Sequence, residues 1–332
     1  MKKVWLVVLT VVISASLMGT GFAASYSYKK AKKKGFYTEG TAGKGSITGV
    51  VSLKGKAPAP IMEDLSKGKN VEFCIKHPDA KGNIRPRVKV EANGGKLKNA
   101  VVFIEELQTG KPWGDKAGKM NFDFRNCDID QKIGVVRRTS DEEKKAWKAY
   151  AKEKSKAEKA AEKKKKADPK YVIPSPIIPP WTGLEGTGAL LTVTNNDPDI
   201  LHNPHGYSVV GASRKTLFNK PLPSQGDVAE VTATLKKFKA KGKKKATHFF
   251  LQCDQHNFME ADARIVWNPY YAITGADGAF KIDGIPAGKY KVTAWQPYVG
   301  EVTQEVTVGA GAAKANFTLV AKKLKASPPP DK

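Results

Sequence analysis

The sequence predicts an all-β protein built from β-sandwiches and interrupted by one long helix. Segments that alternate apolar and polar residues recur along the chain and end at Gly or Pro, as in residues 45–55 and 278–288. Residues 141–167 differ, because they lack Gly and Pro and are rich in Ala, Lys and Glu. Short strands separated by such turns are typical of sandwiches.

Composition narrows the class of protein. The chain has 332 residues, enough for roughly two domains. It carries 57 Lys and Arg against 32 Asp and Glu, a formal charge of +25, and 40% of its residues are hydrophobic. These values exclude a polytopic membrane protein, a collagen and a wholly disordered chain. Three cysteines are also too few for a disulfide-dense scaffold.

The amino terminus has the pattern of a bacterial-type signal peptide at residues 1–23. Lys2 and Lys3 precede an apolar run, and Gly-Phe-Ala then gives a cleavage site before Ala24. An uncleaved anchor is the alternative, although the apolar run is shorter than a typical membrane span. We therefore expect an exported protein, periplasmic or secreted, without nucleic acid as a partner despite its charge.

The remaining segments follow in a definite order. We expect a basic disordered arm at 24–44, an N-terminal β region at 45–138 and a Lys-rich helical insertion with a Pro-rich return at 139–182. A second β region at 183–268, a small β-domain at 269–320 and a disordered tail at 321–332 complete the chain. Residues 141–167 begin with three acids and end near four lysines, which suits a helix dipole, and have no apolar stripe. The helix should therefore be exposed to solvent.

One group of residues carries chemistry. Residues 253–259 read Cys-Asp-Gln-His-Asn-Phe-Met, which places Cys253, His256 and Met259 on a loop at the end of a predicted strand. His202 lies on an earlier strand-end loop. Two His, one Cys and a weak axial Met are the ligands of a blue-copper site. His205 is an alternative to His202, zinc is an alternative metal although a thioether binds it poorly, and accidental packing is the alternative without a metal.

This pattern resembles the type 1 blue-copper cupredoxin family of the amicyanin and plastocyanin kind over residues 185–268. The resemblance implies a Greek-key β-sandwich with one type 1 copper bound by His202, Cys253, His256 and Met259. It also implies that Asn203 ties the two ligand loops together, and that the exposed edge of His256 is the exit for the electron.

A second resemblance concerns residues 274–295, which contain Asp-Gly-x-Phe and Ile-Pro-x-Gly-x-Tyr. They resemble the carboxypeptidase regulatory-like (transthyretin-like) β-domain, whose role would be structural or adhesive. Residues 45–55 and 99–105 look like early strands of the same unit, so strands from both ends of the chain could complete one sandwich. Related bacterial proteins that join the two kinds of domain have an early cysteine pair. This implies a Cys74–Cys127 disulfide, with two free buried thiols as the alternative.

The sequence therefore leads us to expect an exported electron carrier that is not an enzyme. Its partner would be a redox protein, such as an acidic c-type cytochrome or a membrane-bound oxidoreductase. Its lysine runs could also contact an anionic envelope polymer or lipid. The alternative is a non-redox copper-binding or structural envelope protein, and a copper oxidase or reductase ranks third because the sequence contains only one candidate copper site.

Overall fold

The computed structural model describes residues 37–322, except 106, 115–116, 139–140, 175–189 and 239–246. Within these residues the chain is mostly β, which confirms the predicted fold class at that level. The signal peptide, most of the basic arm, most of the Pro-rich return and nearly all of the tail lie outside the described residues.

The described chain contains short strands, two α-helices and two 3-10 turns. The helices are α1 (Val71–Cys74) and α2 (Asp141–Ala167), and the 3-10 turns are Leu65–Lys67 and Thr232–Lys237. The strands are β1 (Thr38–Glu39), β2 (Gly45–Lys54), β3 (Ile61–Asp64), β4 (Ile84–Arg87), β5 (Ala92–Asn93), β6 (Lys96–Leu97), β7 (Val101–Ile104), β8 (Thr109–Gly110), β9 (Met120–Arg125), β10 (Asp128–Ile129), β11 (Ile133–Arg137), β12 (Leu191–Asn195), β13 (Pro204–Val210), β14 (Ser213–Asn219), β15 (Val228–Glu230), β16 (His248–Cys253), β17 (Glu260–Val266), β18 (Tyr271–Ile273), β19 (Ala279–Ile285), β20 (Gly288–Gln296), β21 (Gly300–Val308), β22 (Ala312–Lys314) and β23 (Phe317–Val320).

Strands β9–β17 form the first sandwich. One sheet has the order β10-β9-β12-β15 and the other has the order β11-β17-β16-β13-β14. Alternate side chains of β9, among them Phe122 and Phe124, point inward and are fully buried, whereas Asn121 and Arg125 are exposed. Phe249 of β16 stacks on Phe122 from the opposite sheet, with ring centroids 5.7 Å apart. The apolar alternation of these strands therefore builds the core.

The second sandwich joins strands from the two ends of the described chain. Its sheets have the orders β18-β7-β20-β21 and β19-β2-β6-β5, and β22 and β23 also pair with β2. Ile47 of β2 lies opposite Ile282 of β19, and both side chains are buried. Strands at both ends thus complete one sandwich. The expected boundaries at 45–138 and 269–320 need correction, because residues 45–54 and 90–104 pack with the C-terminal strands, whereas Leu65, Cys74 and residues 120–136 pack with the first sandwich.

A smaller apolar cluster joins the two sandwiches. Val101 and Phe103 of β7 point away from the core that Val102 and Ile104 enter, because successive side chains of a strand face opposite sides. They pack in one cluster with residues of β11, with Val266 and with Trp295. Across the same junction, Arg264 of β17 contacts Glu301 of β21 with a 2.9 Å ion pair.

Helix α2 spans Asp141–Ala167, the part of the 139–182 insertion that was predicted to be helical. Ala161 is buried, and most of the described side chains from 152 to 167 are exposed or half-buried, because the segment lacks an apolar stripe. The helix lies against the 3-10 turn Thr232–Lys237. Neither α1 nor α2 combines the length and the apolarity that crossing a bilayer requires.

Two local expectations differ from the structure. Residues 37–44 belong to the fold rather than to a disordered arm, because β1 pairs with β8 and Tyr37 packs edge-on against Trp113 and Tyr270. The second, smaller difference is local: the sequence of residues 195–207 favours turns, but β13 already begins at Pro204. Gly206 allows that strand to bulge beside Phe218, whose ring would lie 2.2 Å from a Cβ at this position.

Candidate metal centre

Two strand-end loops of the first sandwich lie side by side. Strand β16 ends at Cys253, and a tight turn leads to β17, closed by the Cys253 amide donating to the Met259 carbonyl at 3.1 Å. The loop after β12 carries His202, which is held by a backbone bridge to Leu222. Pro204 at the start of β13 pairs with Cys253. This register brings His202 next to the cysteine loop, as the strand-end positions predicted.

Three potential ligand atoms meet inside the sandwich. Cys253 Sγ lies 3.6 Å from His202 Nδ1 and 3.7 Å from His256 Nδ1. All three side chains are fully buried, and their donor atoms lie within 4.8 Å of one another. Their common distance suits a single small ion placed among the three atoms, because metal–nitrogen and metal–sulfur bonds are about 2.0–2.3 Å long.

Asp197 orients His202. Its carboxylate lies 2.8 Å from His202 Nε2, which leaves Nδ1 directed at Cys253. The carboxylate also accepts the backbone amides of Asn126 and Cys127, the latter at 2.9 Å. Burial alone would raise the pKa of Asp197, but the hydrogen bonds from His202 and the two amides outweigh burial and lower it. A carboxylate on the outer nitrogen is the usual support of a metal-binding histidine.

The protonation states of Cys253 and His256 bear on metal binding: the thiol is protonated and would have to lose its proton, whereas the imidazole is already neutral. Burial raises the pKa of the Cys253 thiol to about 11, although the amide of Asn203 donates to its sulfur at 3.4 Å. Burial, followed by the nearby His202, lowers the pKa of His256 to about 4, so its ring is neutral at neutral pH. A neutral imidazole is ready to bind, and a coordinating thiol loses its proton to the solvent.

The other predicted residues occupy distinct places. Met259 is fully buried on the same turn, and its amide donates to the His256 carbonyl at 2.9 Å. The backbone amide of Asn203 contacts the Cys253 sulfur at 3.4 Å and so links the two loops. His205 lies outside the ligand cluster, where its ring stacks on Tyr207 and Nδ1 is 3.2 Å from a carboxylate oxygen of Asp254.

The cysteine pair lies beside this cluster. The structure joins Cys74 of α1 and Cys127 in a disulfide, and both side chains are buried. Their sulfur atoms and a nitrogen of His256 all lie within 4.8 Å of one another. Helix α1, which carries Cys74, covers the ligand loop, and His256 is fully buried. The exposed imidazole edge that was expected as an exit for the electron is therefore absent.

Sequence reasoning missed a charged groove between the two sandwiches. Glu260 of β17 forms ion pairs with Lys89 and, at 2.7 Å, with Arg87, and all three residues line the groove. Tyr298 donates to Asp262 at 2.8 Å and lies near Lys89. The signal was present as Glu, Asp and Arg at alternate positions 260, 262 and 264 of a strand, where all three are buried.

Comparison with known proteins gave one result. Residues 268–316 match the family described as "Polysaccharide lyase family 4, domain II", which is well under half of the 332-residue chain. The matched segment contains β18–β21 of the second sandwich. No curated protein and no solved structure matches the chain.

This result corrects four expectations. The C-terminal strands are similar to that lyase-family domain and not to a carboxypeptidase regulatory-like domain, and nothing supports a cupredoxin. The electron-carrier function is wrong, because the match points to carbohydrate and because His256 has no exposed edge. The expectation of no enzymatic activity is overturned, since the matched family is named for an enzyme. Copper and electron transport gain no support from the match.

Proposed function

We propose that this chain is an exported, non-redox copper-binding β-sandwich protein in which His202, Cys253 and His256 hold one copper ion. The observation that carries the proposal is the approach of three donor atoms to within 4.8 Å in a fully buried position. Burying a thiol and two imidazoles in an apolar core costs free energy unless a partner satisfies them. A metal ion among the three atoms is such a partner.

Copper is favoured over zinc by the chemistry of the donors. A thiolate is a soft ligand, and Met259 adds a thioether on the same turn. Thioethers suit Cu(I) and are poor ligands for zinc. The raised pKa of Cys253 means that the metal must displace the thiol proton, so binding will release a proton.

A non-redox role is supported by the burial of the site. His256 is fully buried, and α1 with its cysteine lies over the ligand loop. Electron transfer is fastest where a ligand edge reaches the surface, and this ligand has none. The site is better suited to holding copper for storage, or for the stability of the first sandwich.

The architecture, location and partners form part of the same proposal. Between β13 and its neighbour β16 the chain crosses to β15 in the opposite sheet, which supports a Greek-key sandwich. The pattern of residues 1–23 supports export. Helix α2, with eleven lysines and six acids, supports contact with an anionic envelope polymer.

A second candidate function concerns carbohydrate. The match of residues 268–316 to a domain of a polysaccharide lyase family is the observation that favours it. In this proposal the second sandwich contributes to the binding or cleavage of a polysaccharide. The net charge of +25 favours an acidic polymer over a neutral one.

A metal titration tests the first proposal. Wild-type protein should take one Cu(I) per chain from a coloured Cu(I) chelator, and Cys253→Ser and His202→Ala should lose this ability. His205→Ala is the matched control and should bind as wild type does. Loss of binding in His205→Ala but not in His202→Ala would refute the ligand set. Tighter binding of Zn(II), or fast reversible one-electron cycling at an electrode, would refute a non-redox copper site.

Affinity electrophoresis tests the carbohydrate candidate. The protein should be retarded by polygalacturonate and not by neutral dextran, and added salt should weaken the effect because exposed charges are screened. Unsaturated sugar products, followed by ultraviolet absorbance, would show lyase activity. Equal migration in both polymers, with no product, would refute the candidate.

A further inference from the structure

The disulfide and His256 form a second group of potential metal ligands. The sulfur atoms of Cys74 and Cys127 and a nitrogen of His256 lie within 4.8 Å of one another, and all three side chains are buried. Cys74 Sγ also lies 3.8 Å from the Lys69 carbonyl oxygen. In the oxidised protein the sulfurs are bonded to each other and are not free to bind metal.

His256 has a nitrogen that the first group does not use. Nδ1 faces Cys253, whereas Nε2 is buried and makes no hydrogen bond of normal geometry with a described residue. Burial lowers the pKa of the ring, and a weaker hydrogen bond to the backbone of Lys69 raises it in part. A buried imidazole nitrogen without a partner is costly, and a ligand ion would relieve that cost. A neutral imidazole binds one metal through its unprotonated nitrogen, so His256 can serve both groups at once only as an imidazolate, after its remaining ring proton is released to solvent.

The two groups are also joined through Asp197. Its carboxylate accepts the amide of Cys127 and contacts His202 Nε2 at 2.8 Å. A change in the backbone at Cys127 will therefore reach a ligand of the first group through one carboxylate. The cysteine pair therefore contacts the proposed copper site in two places. One is the ligand His256, and the other is Asp197, which orients the ligand His202.

We infer that Cys74, Cys127 and His256 form a second Cu(I) site that opens when the disulfide is reduced. The reductant is a dithiol, which breaks the Cys74–Cys127 bond, forms its own disulfide and transfers two electrons and two protons. Cu(I) then binds the two cysteine sulfurs and releases both protons to solvent. Two thiolates and an imidazole are a soft donor set that favours Cu(I).

The surroundings of the pair suit a site with two negatively charged sulfurs. Arg85 is buried, and its guanidinium donates to the Cys127 carbonyl at 2.8 Å. The same guanidinium pairs with Asp128 at 2.6 Å, so only part of its positive charge is left to offset the charge that two thiolates and one Cu(I) leave in the interior. Cys74 lies on a single helical turn bordered by exposed residues, so local opening of α1 gives a reductant access.

The experiment counts Cu(I) per chain in oxidised protein and in protein reduced with a phosphine and freed of it. This inference shares only His256 with the proposed function, so the Cys253→Ser variant separates the two. Oxidised Cys253→Ser should bind no Cu(I), and the reduced variant should bind one. The double variant Cys74→Ser/Cys127→Ser is the matched control, and its Cu(I) count should not change on reduction.

Alkylation of the wild-type chain provides a second measurement that needs no folded variant. In reduced protein, Cu(I) should protect Cys74 and Cys127 from a thiol reagent, as mapped by mass spectrometry. Two outcomes would overturn the inference. In one, the reduced Cys253→Ser variant binds no Cu(I). In the other, Cys74 and Cys127 are alkylated equally with and without Cu(I). If the oxidised wild-type protein binds no Cu(I) but the reduced protein binds one, the proposed function fails and this inference stands.

Discussion

The two sandwiches of this chain have similar sheets but different interiors. The second sandwich buries neutral polar side chains among its described residues, such as Thr274, whose hydroxyl accepts from the Ala100 amide and donates to the Leu97 carbonyl. The first core contains His202, His256, Asp197 and Cys253, all nearly or fully buried. Polar side chains in an interior need fixed partners. The first sandwich therefore holds a cluster poised for a ligand, whereas the described residues of the second sandwich contain no comparable group of metal-binding side chains.

The packing of the second sandwich explains why its resemblance to a carboxypeptidase regulatory-like domain was misleading. The Asp-Gly-x-Phe segment at 277–280 is required by packing in the second sandwich. Gly278 has φ +69°, its carbonyl accepts the Val51 amide at 2.8 Å, and a Cβ there would lie 2.5 Å from the Val51 oxygen. Any sandwich with this close approach of a turn to a strand selects glycine. The motif indicates an architecture and does not distinguish between families.

The largest expected effect comes from the charged groove that joins the sandwiches. Glu260→Gln removes the carboxylate that pairs with Lys89 and Arg87. Arg87 keeps its ion pair with Glu63, whereas Lys89, whose side chain is 6% exposed, loses its ion-pair partner. Breaking a buried ion pair on one side costs about 3–5 kcal/mol of unfolding free energy. We expect a loss of this size in chemical denaturation, together with separate unfolding of the two sandwiches.

Glu301→Gln is the matched control at the same junction. It removes the partner of Arg264, but the Glu301 side chain is 50% exposed, so water replaces much of the interaction. Because Arg264 is buried and keeps its charge, the loss should lie between the roughly 1 kcal/mol of an exposed pair and the roughly 3 kcal/mol of a buried one. Equal losses in the two variants would show that the Glu260 network is no more important to the junction than a surface pair.

A smaller effect is expected from a pair of substitutions, one in the interior of each sandwich. Asp197→Asn removes the charge that orients His202, and loss of such a supporting partner lowers metal affinity by about 10- to 100-fold. Competition titration with a Cu(I) chelator measures this change. Thr274→Val removes a buried polar group of the second sandwich and should lower stability while leaving Cu(I) affinity unchanged. A parallel loss of affinity in Thr274→Val would mean that affinity only reports global stability.

The two sandwiches, the long helix and the meeting of the two ligand loops could be predicted from the sequence. Strand alternation and glycine turns are local signals, so the sandwiches and the bounds of α2 followed from them. The placement of Cys253 and His202 at strand ends also brought their loops together. The role of Asp197 and the covering of His256 by α1 depend on contacts between residues far apart in sequence. No local pattern marks such contacts, which is why an exposed His256 was expected.

The smallest expected effect concerns helix α2, which contacts the first sandwich at the 3-10 turn Thr232–Lys237. Ala161 is the buried residue among the side chains described from 152 to 167, so this part of the helix covers little apolar surface of the sandwich. Replacing residues 141–167 with a short Gly/Ser join should cost less than about 1 kcal/mol and leave Cu(I) affinity unchanged. The same deletion should reduce retardation by polygalacturonate at low salt, because it removes eleven lysines and six acids. Ala161→Asp in the full-length chain tests the contact alone, and a loss well above 1 kcal/mol in either variant would show that α2 is part of the first sandwich's core.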